Sequence, residues 1–181
     1  MRLRVIAGEF RSRLLKSLPG LDTRPTPDRL REALFNVLAP QIEGAVFLDA
    51  YAGTGAVGIE ALSRGAKRAI FVERNRAAVE VIRDNLAALG IADRAEVFTG
   101  KAEPVLERTA ADIVFLDPPY ALVKEYEQTL ALLGERAMGL VVAQHAFRQA
   151  LEEQYGRLKR TRILRQGDNA LSFYSVAISA V

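Results

Sequence analysis

Five short apolar runs, rich in β-branched and aromatic residues, alternate along the chain with stretches of helical spacing. The runs lie at residues 45–49, 69–73, 95–98, 112–117 and 139–143. Each run is short enough to form a strand that is buried on both faces of a sheet. The helical pattern is clearest at 75–89, where Asn75 is a candidate N-cap. This alternation predicts right-handed βαβ units and a parallel sheet.

The C-terminal tail has the pattern of a β-hairpin. Residues 162–166 and 170–178 have the pattern of strands, and GDN at 167–169 forms a tight turn between them. Together with the five apolar runs, this hairpin predicts an α/β, Rossmann-like fold. Its sheet would be mostly parallel, seven-stranded and antiparallel at the C-terminal edge.

A helix is predicted ahead of the first core strand, within TRPTPDRLREALFNVL at residues 23–38. Thr26 is its candidate cap, and Pro27 suits the first helical position. One face carries an apolar stripe of Leu30, Ala33, Leu34, Val37 and Leu38, and the opposite face carries Arg29, Glu32 and Asn36. Weak alternation over residues 2–16 predicts a basic hairpin.

The domain organisation follows from continuity of the pattern. No repeat, low-complexity segment or linker interrupts the 181 residues. We therefore expect a single domain over 1–181, with a basic N-terminal extension and helix at 1–38 and a Rossmann-like core at 39–181.

Composition excludes several kinds of site. The chain has no cysteine, which excludes disulfides, thiol catalysis and thiolate metal ligands, and its single histidine argues against a histidine-rich metal site. We therefore expect no metal. No apolar run approaches the roughly 20 residues of a membrane helix, and the N-terminus lacks the features of a signal peptide. The expected location is the cytoplasm, with no membrane contact.

The net charge of +3 is unevenly distributed. Residues 1–31 hold eight Arg or Lys against three acids, and residues 148–168 hold six against three. Because basic side chains neutralise phosphates, both segments are candidate contacts for nucleic acid. The run RLKRTR at 157–162 is the expected phosphate contact in the second segment. A solvated basic surface is the alternative.

The glycine-rich stretch LDAYAGTGAVG, residues 48–58, follows the first strand and opens a helix. Gly53, Gly55 and Gly58 match G-x-G-x-x-G, and Glu73 ends the next strand, where an acid would bind ribose. Glycine lets the backbone approach a ligand closely, and the helix start offers N–H donors. A dinucleotide site is one interpretation, and a turn that serves packing alone is another.

Asp49 favours a cationic ligand over a dinucleotide. Its carboxylate ends the first strand beside the glycine-rich stretch, where it would repel a diphosphate. S-adenosylmethionine suits this position better, because it carries an ammonium and a sulfonium but no phosphate. Its ribose would contact Glu73, and its adenine would lie near residues 100–102. A helix-capping role for Asp49 remains the alternative.

The stretch VFLDPPY, residues 114–120, ends the fourth strand with an acid and two prolines. Pro118 and Pro119 have no N–H group, and an extended Pro118 would leave its carbonyl without a competing donor. Together with the Asp117 carboxylate, this carbonyl forms an acceptor-only patch that fits an amino group. Tyr120 could stack on the base that carries the amine. A strand stop and turn is the alternative.

These chemical signals fall at one edge of the predicted sheet. The carboxyl ends of parallel strands share a rim, which would bring together Asp49, Glu73, the turn at Gly100 and Asp117. The predicted catalysis is positioning and electrostatics without a covalent intermediate, because an amine needs only its lone pair aimed at the methyl group. His145 is therefore not expected to act as a base; a solvent-facing or packing role fits it better.

The motifs resemble the class I S-adenosylmethionine-dependent methyltransferases, and DPPY resembles their amino-methylating branch. The stretches RVIAGEFRSRLL, RPTPDRLREALFNVL, FLDAYAGTGAVGIEALSRGA, VFLDPPY and GDNALSFY together resemble the RsmD family. This resemblance spans nearly the whole chain. It implies a class I methyltransferase fold and methyl transfer to the exocyclic N2 of a guanine in small-subunit (16S) ribosomal RNA.

The resemblance also implies the functional residues. The cofactor-binding set is Arg24, Thr26, Asp49, Tyr51, Ala52, Gly53, Thr54, Gly55, Glu73, Arg74, Lys101, Ala102 and Asp117, and the catalytic set is Asp117, Pro118 and Tyr120. Two positions depart from the family pattern. Lys101 stands where related enzymes often place an acid, which leaves adenine recognition to the Ala102 backbone, and Gln144 stands where Glu is expected.

Several functions remain open from the residues alone. The same acceptor patch would fit the amino group of adenine in DNA or of a protein amide, and guanine in ribosomal RNA comes only from the resemblance. A nicotinamide-dependent oxidoreductase and a noncatalytic RNA-binding protein are the alternatives from other classes. For the leading interpretation we expect S-adenosyl-L-methionine as cofactor, a monomer, and ribosomal RNA as partner, either free or in a small-subunit assembly intermediate with ribosomal proteins.

Overall fold

The computed structural model describes residues 3–19, 27–136 and 138–176. The chain divides into two compact units, Met1–Lys101 and Ala102–Val181. The single-domain organisation expected over 1–181 stays a prediction. In the described part of the chain, no helix is long and apolar enough to cross a membrane.

The first unit has an α/β architecture. Its elements are α1 (Asp28–Ile42), β1 (Val46–Asp49), α2 (Ala56–Ser63), β2 (Arg68–Glu73), α3 (Arg76–Leu89), a 3-10 turn (Ala92–Arg94) and β3 (Ala95–Thr99). The three strands are parallel in the order β3-β2-β1. Helix α3 begins as predicted, because the Asn75 side chain accepts hydrogen bonds from the N–H groups of Ala77 and Ala78.

The second unit combines parallel and antiparallel strands. Its elements are α4 (Glu103–Arg108), β4 (Ile113–Leu116), α5 (Val123–Arg136), β5 (Leu140–Ala146), β6 (Gln154–Tyr155), β7 (Leu158–Gln166) and β8 (Asn169–Val176). Strands β4 and β5 are parallel, whereas the β5–β8, β8–β7 and β7–β6 pairs are antiparallel. The C-terminal hairpin is therefore present.

The α/β fold class is confirmed, with one addition to the strand count. The described residues form eight strands, not the seven expected. The extra one, β6, spans only Gln154–Tyr155, which is too short to leave a periodic signal in the sequence. The hairpin turn is also one residue shorter than expected, because Asn169 already pairs with Gln166 as the first residue of β8.

Helix α1 begins one residue later than predicted. Pro27 is its N-cap rather than its first helical residue, with an extended ψ of 140°. The proposed cap, Thr26, lies outside the described residues. The apolar stripe is buried at Leu30, Leu34 and Leu38, and the polar face is exposed as predicted.

The predicted N-terminal hairpin is present as an antiparallel bridge between Arg4 and Leu14. Glu60 on α2 anchors it, although its side chain is completely buried. The Glu60 carboxylate accepts hydrogen bonds from the N–H groups of Ile6 at 2.8 Å and Ala7 at 3.0 Å, and from Arg64 Nε at 2.8 Å. A buried carboxylate with three donors holds the basic extension firmly onto the first unit.

Candidate functional site

The glycine loop, residues 50–55, connects β1 to α2. Its Gly53 and Gly55 have φ angles of 56° and 84°, in the left-handed region that favours glycine. A Cβ atom added to Gly53 would meet no heavy atom within 4 Å. The loop backbone at this residue is therefore open to close approach by a ligand.

Glu73 holds the glycine loop from the end of β2. One carboxylate oxygen accepts from the Gly53 N–H and the other from the Asn75 N–H, each at 2.8 Å. An ionised carboxylate has about four acceptor positions. Two positions therefore remain for ligand hydroxyl groups, so fixing the loop does not prevent Glu73 from binding a ribose.

Asp49 is buried, with 1% of its surface exposed, and ends β1. Its Oδ2 accepts from the Gly58 N–H in the first turn of α2 at 3.3 Å, which is the capping contact that the sequence left open. Gly58 has a packing role, because an added Cβ would lie 2.3 Å from the Phe71 ring. Only the first two glycines of the motif have positive φ angles in a loop.

The sequence reasoning did not identify Asn85. Its Nδ2 donates to Thr54 O at 3.3 Å and to Lys16 O at 3.1 Å, and its Oδ1 accepts from Lys16 N at 2.8 Å. Asn85 thus connects the glycine loop to the end of the N-terminal hairpin. The sequence did contain a sign of this role, because Asn85 is a polar residue three positions after Ile82, on the face of α3 that is buried.

The other predicted cofactor residues have varied surroundings. Tyr51 and Thr54 are half-buried in the glycine loop, Ala52 donates its N–H to Val72 O, and Arg74 and Lys101 are exposed. The turn after β3 is fixed to the end of β2 by a bond from Gly100 N to Glu73 O at 2.9 Å. Ala102 is buried in the second unit ahead of α4. Arg24 and Thr26 lie outside the described residues.

The acceptor loop, residues 117–120, follows β4 in the second unit. The expectation of a Pro118 carbonyl without a competing donor is wrong. The hydroxyl of Tyr126, a fully buried residue of α5, lies 3.2 Å from Pro118 O and 2.7 Å from Gln144 O. The one hydroxyl proton is divided between two carbonyl oxygens, and a carbonyl oxygen has two lone pairs, so Pro118 O keeps acceptor capacity for a ligand. Tyr126 instead fixes where this carbonyl lies.

The tyrosine of the acceptor loop is held by the C-terminal hairpin. Tyr120 OH donates to Asn169 Oδ1 at 2.5 Å, and Asn169 begins β8. Asn169 pairs with Ala146 on one side and Gln166 on the other. The half-buried Tyr120 ring is therefore fixed by a rigid sheet element rather than by its own loop.

His145 is a packing residue, and the solvent-facing alternative is wrong. It is only 1% exposed, its Nδ1 lies 2.9 Å from Ala146 O, and its Nε2 lies 2.8 Å from Ser172 Oγ. Because a carbonyl can only accept, Nδ1 carries the proton and Nε2 accepts from the serine hydroxyl. Burial lowers the pKa of His145, which favours this neutral form.

The chain resembles a group of known proteins over almost its full length. The family model described as "Conserved hypothetical protein 95" matches residues 3–175. YlbH of Bacillus subtilis, named as a candidate rRNA methyltransferase, is 38% identical over 181 residues that cover 95% of this chain and 98% of that protein. Ribosomal RNA small subunit methyltransferase D of Escherichia coli is 46% identical over 123 residues, 66% of this chain and 61% of that protein.

Solved structures agree with these sequence matches. The candidate methyltransferase yhhF of Escherichia coli has a TM-score of 0.83 and 35% identity, covering 97% of this chain and 98% of that one. An RNA methyltransferase from Salinibacter ruber, solved with S-adenosyl-L-homocysteine, has a TM-score of 0.67, covering 87% of this chain and 96% of that one. At 18% identity the second bears on the fold alone.

The fold and the two loops define a methyltransferase of class I. Within that class, the chain belongs to the conserved hypothetical protein 95 family, which is the RsmD family. The resemblance drawn from the sequence motifs is confirmed.

Proposed function

We propose that this RsmD-family enzyme transfers a methyl group from S-adenosyl-L-methionine to the exocyclic N2 of a guanine in small-subunit ribosomal RNA. The acceptor loop carries this proposal. Asp117 and Pro118 directly follow β4, neither Pro118 nor Pro119 has an N–H group, and Tyr126 fixes the Pro118 carbonyl. A rigid pair of acceptors beside a fixed tyrosine fits a planar base that carries an amino group.

The residues of the first unit fit the methyl donor. Gly53 offers open backbone, Glu73 has acceptor positions left for ribose hydroxyls, and the Asp49 carboxylate would attract a cationic methionine end. When bound, S-adenosyl-L-methionine supplies an electrophilic methyl group on a sulfonium. We assign Tyr51, Ala52, Thr54, Gly55, Arg74, Lys101 and Ala102 to the same cofactor contacts, with Arg24 and Thr26 completing them.

The acceptor loop would activate the amine by accepting its hydrogens. The lone pair of a guanine amine is delocalised into the ring, and two acceptors at Asp117 and Pro118 would favour a more pyramidal, more nucleophilic nitrogen. The nitrogen forms its bond to the methyl carbon as the carbon–sulfur bond breaks, and the extra proton leaves afterwards to solvent. Tyr120, held by Asn169, would stack on the base.

Family membership supports ribosomal RNA as the substrate class, since relatives of this chain are named as ribosomal RNA methyltransferases. We further propose that the enzyme is a cytoplasmic monomer that acts during ribosome biogenesis. Its RNA partner would be free or held in a small-subunit assembly intermediate with ribosomal proteins. Reaction rates on free RNA, intermediates and finished subunits identify which of these is the substrate.

Mass-spectrometric mapping of methylated nucleosides in ribosomal RNA tests the function. RNA from a gene-deletion strain should lack one N2-methylguanine, and the intact gene should restore it. A gene carrying Asp117→Ala should not restore it, whereas Glu107→Ala, which changes an exposed acid of α4, should. If the deletion instead removes a methylated adenine from DNA or a methylated protein amide, the proposed substrate is wrong.

A further inference from the structure

The basic run RLKRTR at 157–162 does not behave as one surface. Arg160 is half-buried, and its guanidinium donates to Leu151 O at 3.2 Å and lies 4.0 Å from the Glu153 carboxylate. Arg157 donates to Glu135 O. Both residues therefore have bonding partners within the second unit, and the free basic surface must lie elsewhere on β7.

We call a second group of exposed residues the edge patch: Phe147 and Arg148, which follow β5, and Ile163 and Arg165, which lie on one face of β7. Phe147 and Ile163 are 39% and 48% exposed, although both are large and apolar. The Arg165 guanidinium lies 3.8 Å from the centroid of the Phe147 ring, and its Nε donates to Gly167 O at 3.0 Å. These two contacts fix a flat, charged group at the surface.

The edge patch adjoins the acceptor loop through the hairpin turn. Phe147 N donates to Asp168 O at 2.8 Å, and the next residue, Asn169, holds Tyr120 of the acceptor loop. The two arginines of the patch outnumber the one exposed acid of this turn, Asp168. Nucleotides that flank a base at Tyr120 would therefore meet a basic surface with a fixed guanidinium.

We infer that the edge patch binds the ribosomal RNA segment that flanks the target guanine, with Arg165 stacking on a base and Arg148 contacting a phosphate. This inference rests on the proposed function and identifies where its substrate docks. Arginine planes stack on unpaired RNA bases, and arginine also neutralises phosphates. An acidic protein surface would also meet these arginines, but it would not supply the flat bases on which the Arg165 guanidinium can stack.

The test compares two double variants with equal loss of charge. The edge variant carries Arg148→Ala and Arg165→Ala, and the control carries Lys67→Ala and Arg68→Ala, two exposed residues where β2 begins. Binding is measured to ribosomal RNA and to small subunits, both from the deletion strain. We expect the edge variant to bind RNA about tenfold or more weakly. Its affinity for S-adenosyl-L-homocysteine should not change.

Salt dependence separates phosphate contacts from stacking. Each lost phosphate contact should reduce the slope of log affinity against log salt by about 0.7 for single-stranded RNA. Arg165→Lys keeps the charge but not the planar guanidinium. It should therefore keep the wild-type slope while losing affinity.

Two results would contradict the proposed RNA-binding role of the edge patch. The first is an equal loss of RNA affinity in the control, which would indicate a general charge effect. The second is wild-type RNA affinity in the edge variant, especially with new self-association, because charges on an edge strand also prevent pairing between sheets. Failure of the wild-type enzyme to methylate ribosomal RNA would instead contradict the proposed function. That measurement is made without the edge variant, so the two failures can be told apart.

Discussion

The glycine loop and the acceptor loop are held in place in different ways. Asp49 and Glu73, which end the strands β1 and β2, hold the glycine loop and the helix start after it through backbone N–H groups. Side chains from other elements hold the acceptor loop, namely Tyr126 of α5 and Asn169 of β8. The glycine loop is fixed by residues that are themselves proposed to bind the cofactor. The acceptor loop is fixed by residues that have no proposed role in the reaction.

This difference has a functional consequence. In the glycine loop, changing a supporting carboxylate also removes a proposed ligand contact, so structure and binding should fail together. In the acceptor loop, Tyr126 can be changed without altering the atoms of Asp117 or Pro118. Substitutions in the two loops should therefore separate cofactor binding from methyl transfer.

Asp117→Asn should have the largest effect on the reaction. The substitution keeps the size of the side chain but replaces one acceptor oxygen with a donor, which would repel an amine hydrogen. Loss of one positioned electrostatic contact commonly costs about 10²- to 10³-fold in kcat. Single-turnover methylation should show this loss, and calorimetry with S-adenosyl-L-homocysteine should show a smaller loss of affinity, because Asp117 also belongs to the predicted cofactor-binding set. Normal turnover would remove Asp117 from the catalytic set.

Glu73→Gln should have the next largest effect, and on the cofactor. The amide can accept through only one oxygen, so one of the two backbone bonds to Gly53 and Asn75 is lost or weakened. Hydrogen bonds to charged groups contribute about 1.5–3 kcal/mol, so S-adenosyl-L-homocysteine should bind about 10- to 100-fold more weakly. Calorimetry measures this change, with Glu80→Gln on the exposed face of α3 as control. Unchanged affinity would show that neither the loop support by Glu73 nor a ligand contact of Glu73 contributes to cofactor binding.

Tyr126→Phe should have a smaller effect, confined to turnover. Removing the hydroxyl leaves Gln144 O without its 2.7 Å donor and releases the Pro118 carbonyl. We expect a loss of about 1–3 kcal/mol in the free energy of unfolding. We also expect kcat to fall several-fold without a change in cofactor affinity.

Tyr155→Phe is the matched control for Tyr126→Phe. It removes another buried hydroxyl of the second unit, one that accepts from Glu152 N at 3.0 Å, away from the acceptor loop. Denaturant unfolding should show a comparable loss of stability in both variants. An equal fall of kcat in both would mean that Tyr126 acts only through stability.

The residues that hold the two loops also show what could be predicted from the sequence. The positions of Asp49 and Glu73 at strand ends, and of Asp117 directly after β4, follow from apolar runs and parallel topology, which is local periodicity combined with a general rule. The Asn75 cap is equally local. Each of these signals lies within one element or its end, so the element pattern was sufficient to predict it.

The supports of the acceptor loop depend on tertiary contacts that periodicity does not encode. Tyr126 occupies an ordinary buried position of α5, and only the fold brings its hydroxyl to Pro118 O. Arg160 belongs to a basic run but has its partners within the second unit. Glu60 is an acid on a helix, and nothing local predicts that it is completely buried beneath the N-terminal hairpin.

The smallest expected effect concerns His145 in β5, beside Gln144, whose carbonyl binds Tyr126. Burial lowers its pKa from the ordinary 6.5. Between the folded and unfolded pKa values the unfolded state binds more protons, so stability should fall as the pH drops below about 6.5. His145→Gln should remove this contribution, and its unfolding free energy should fall less between pH 7.5 and 5.5. Identical pH dependence in urea unfolding of both proteins would show that His145 is not the group responsible.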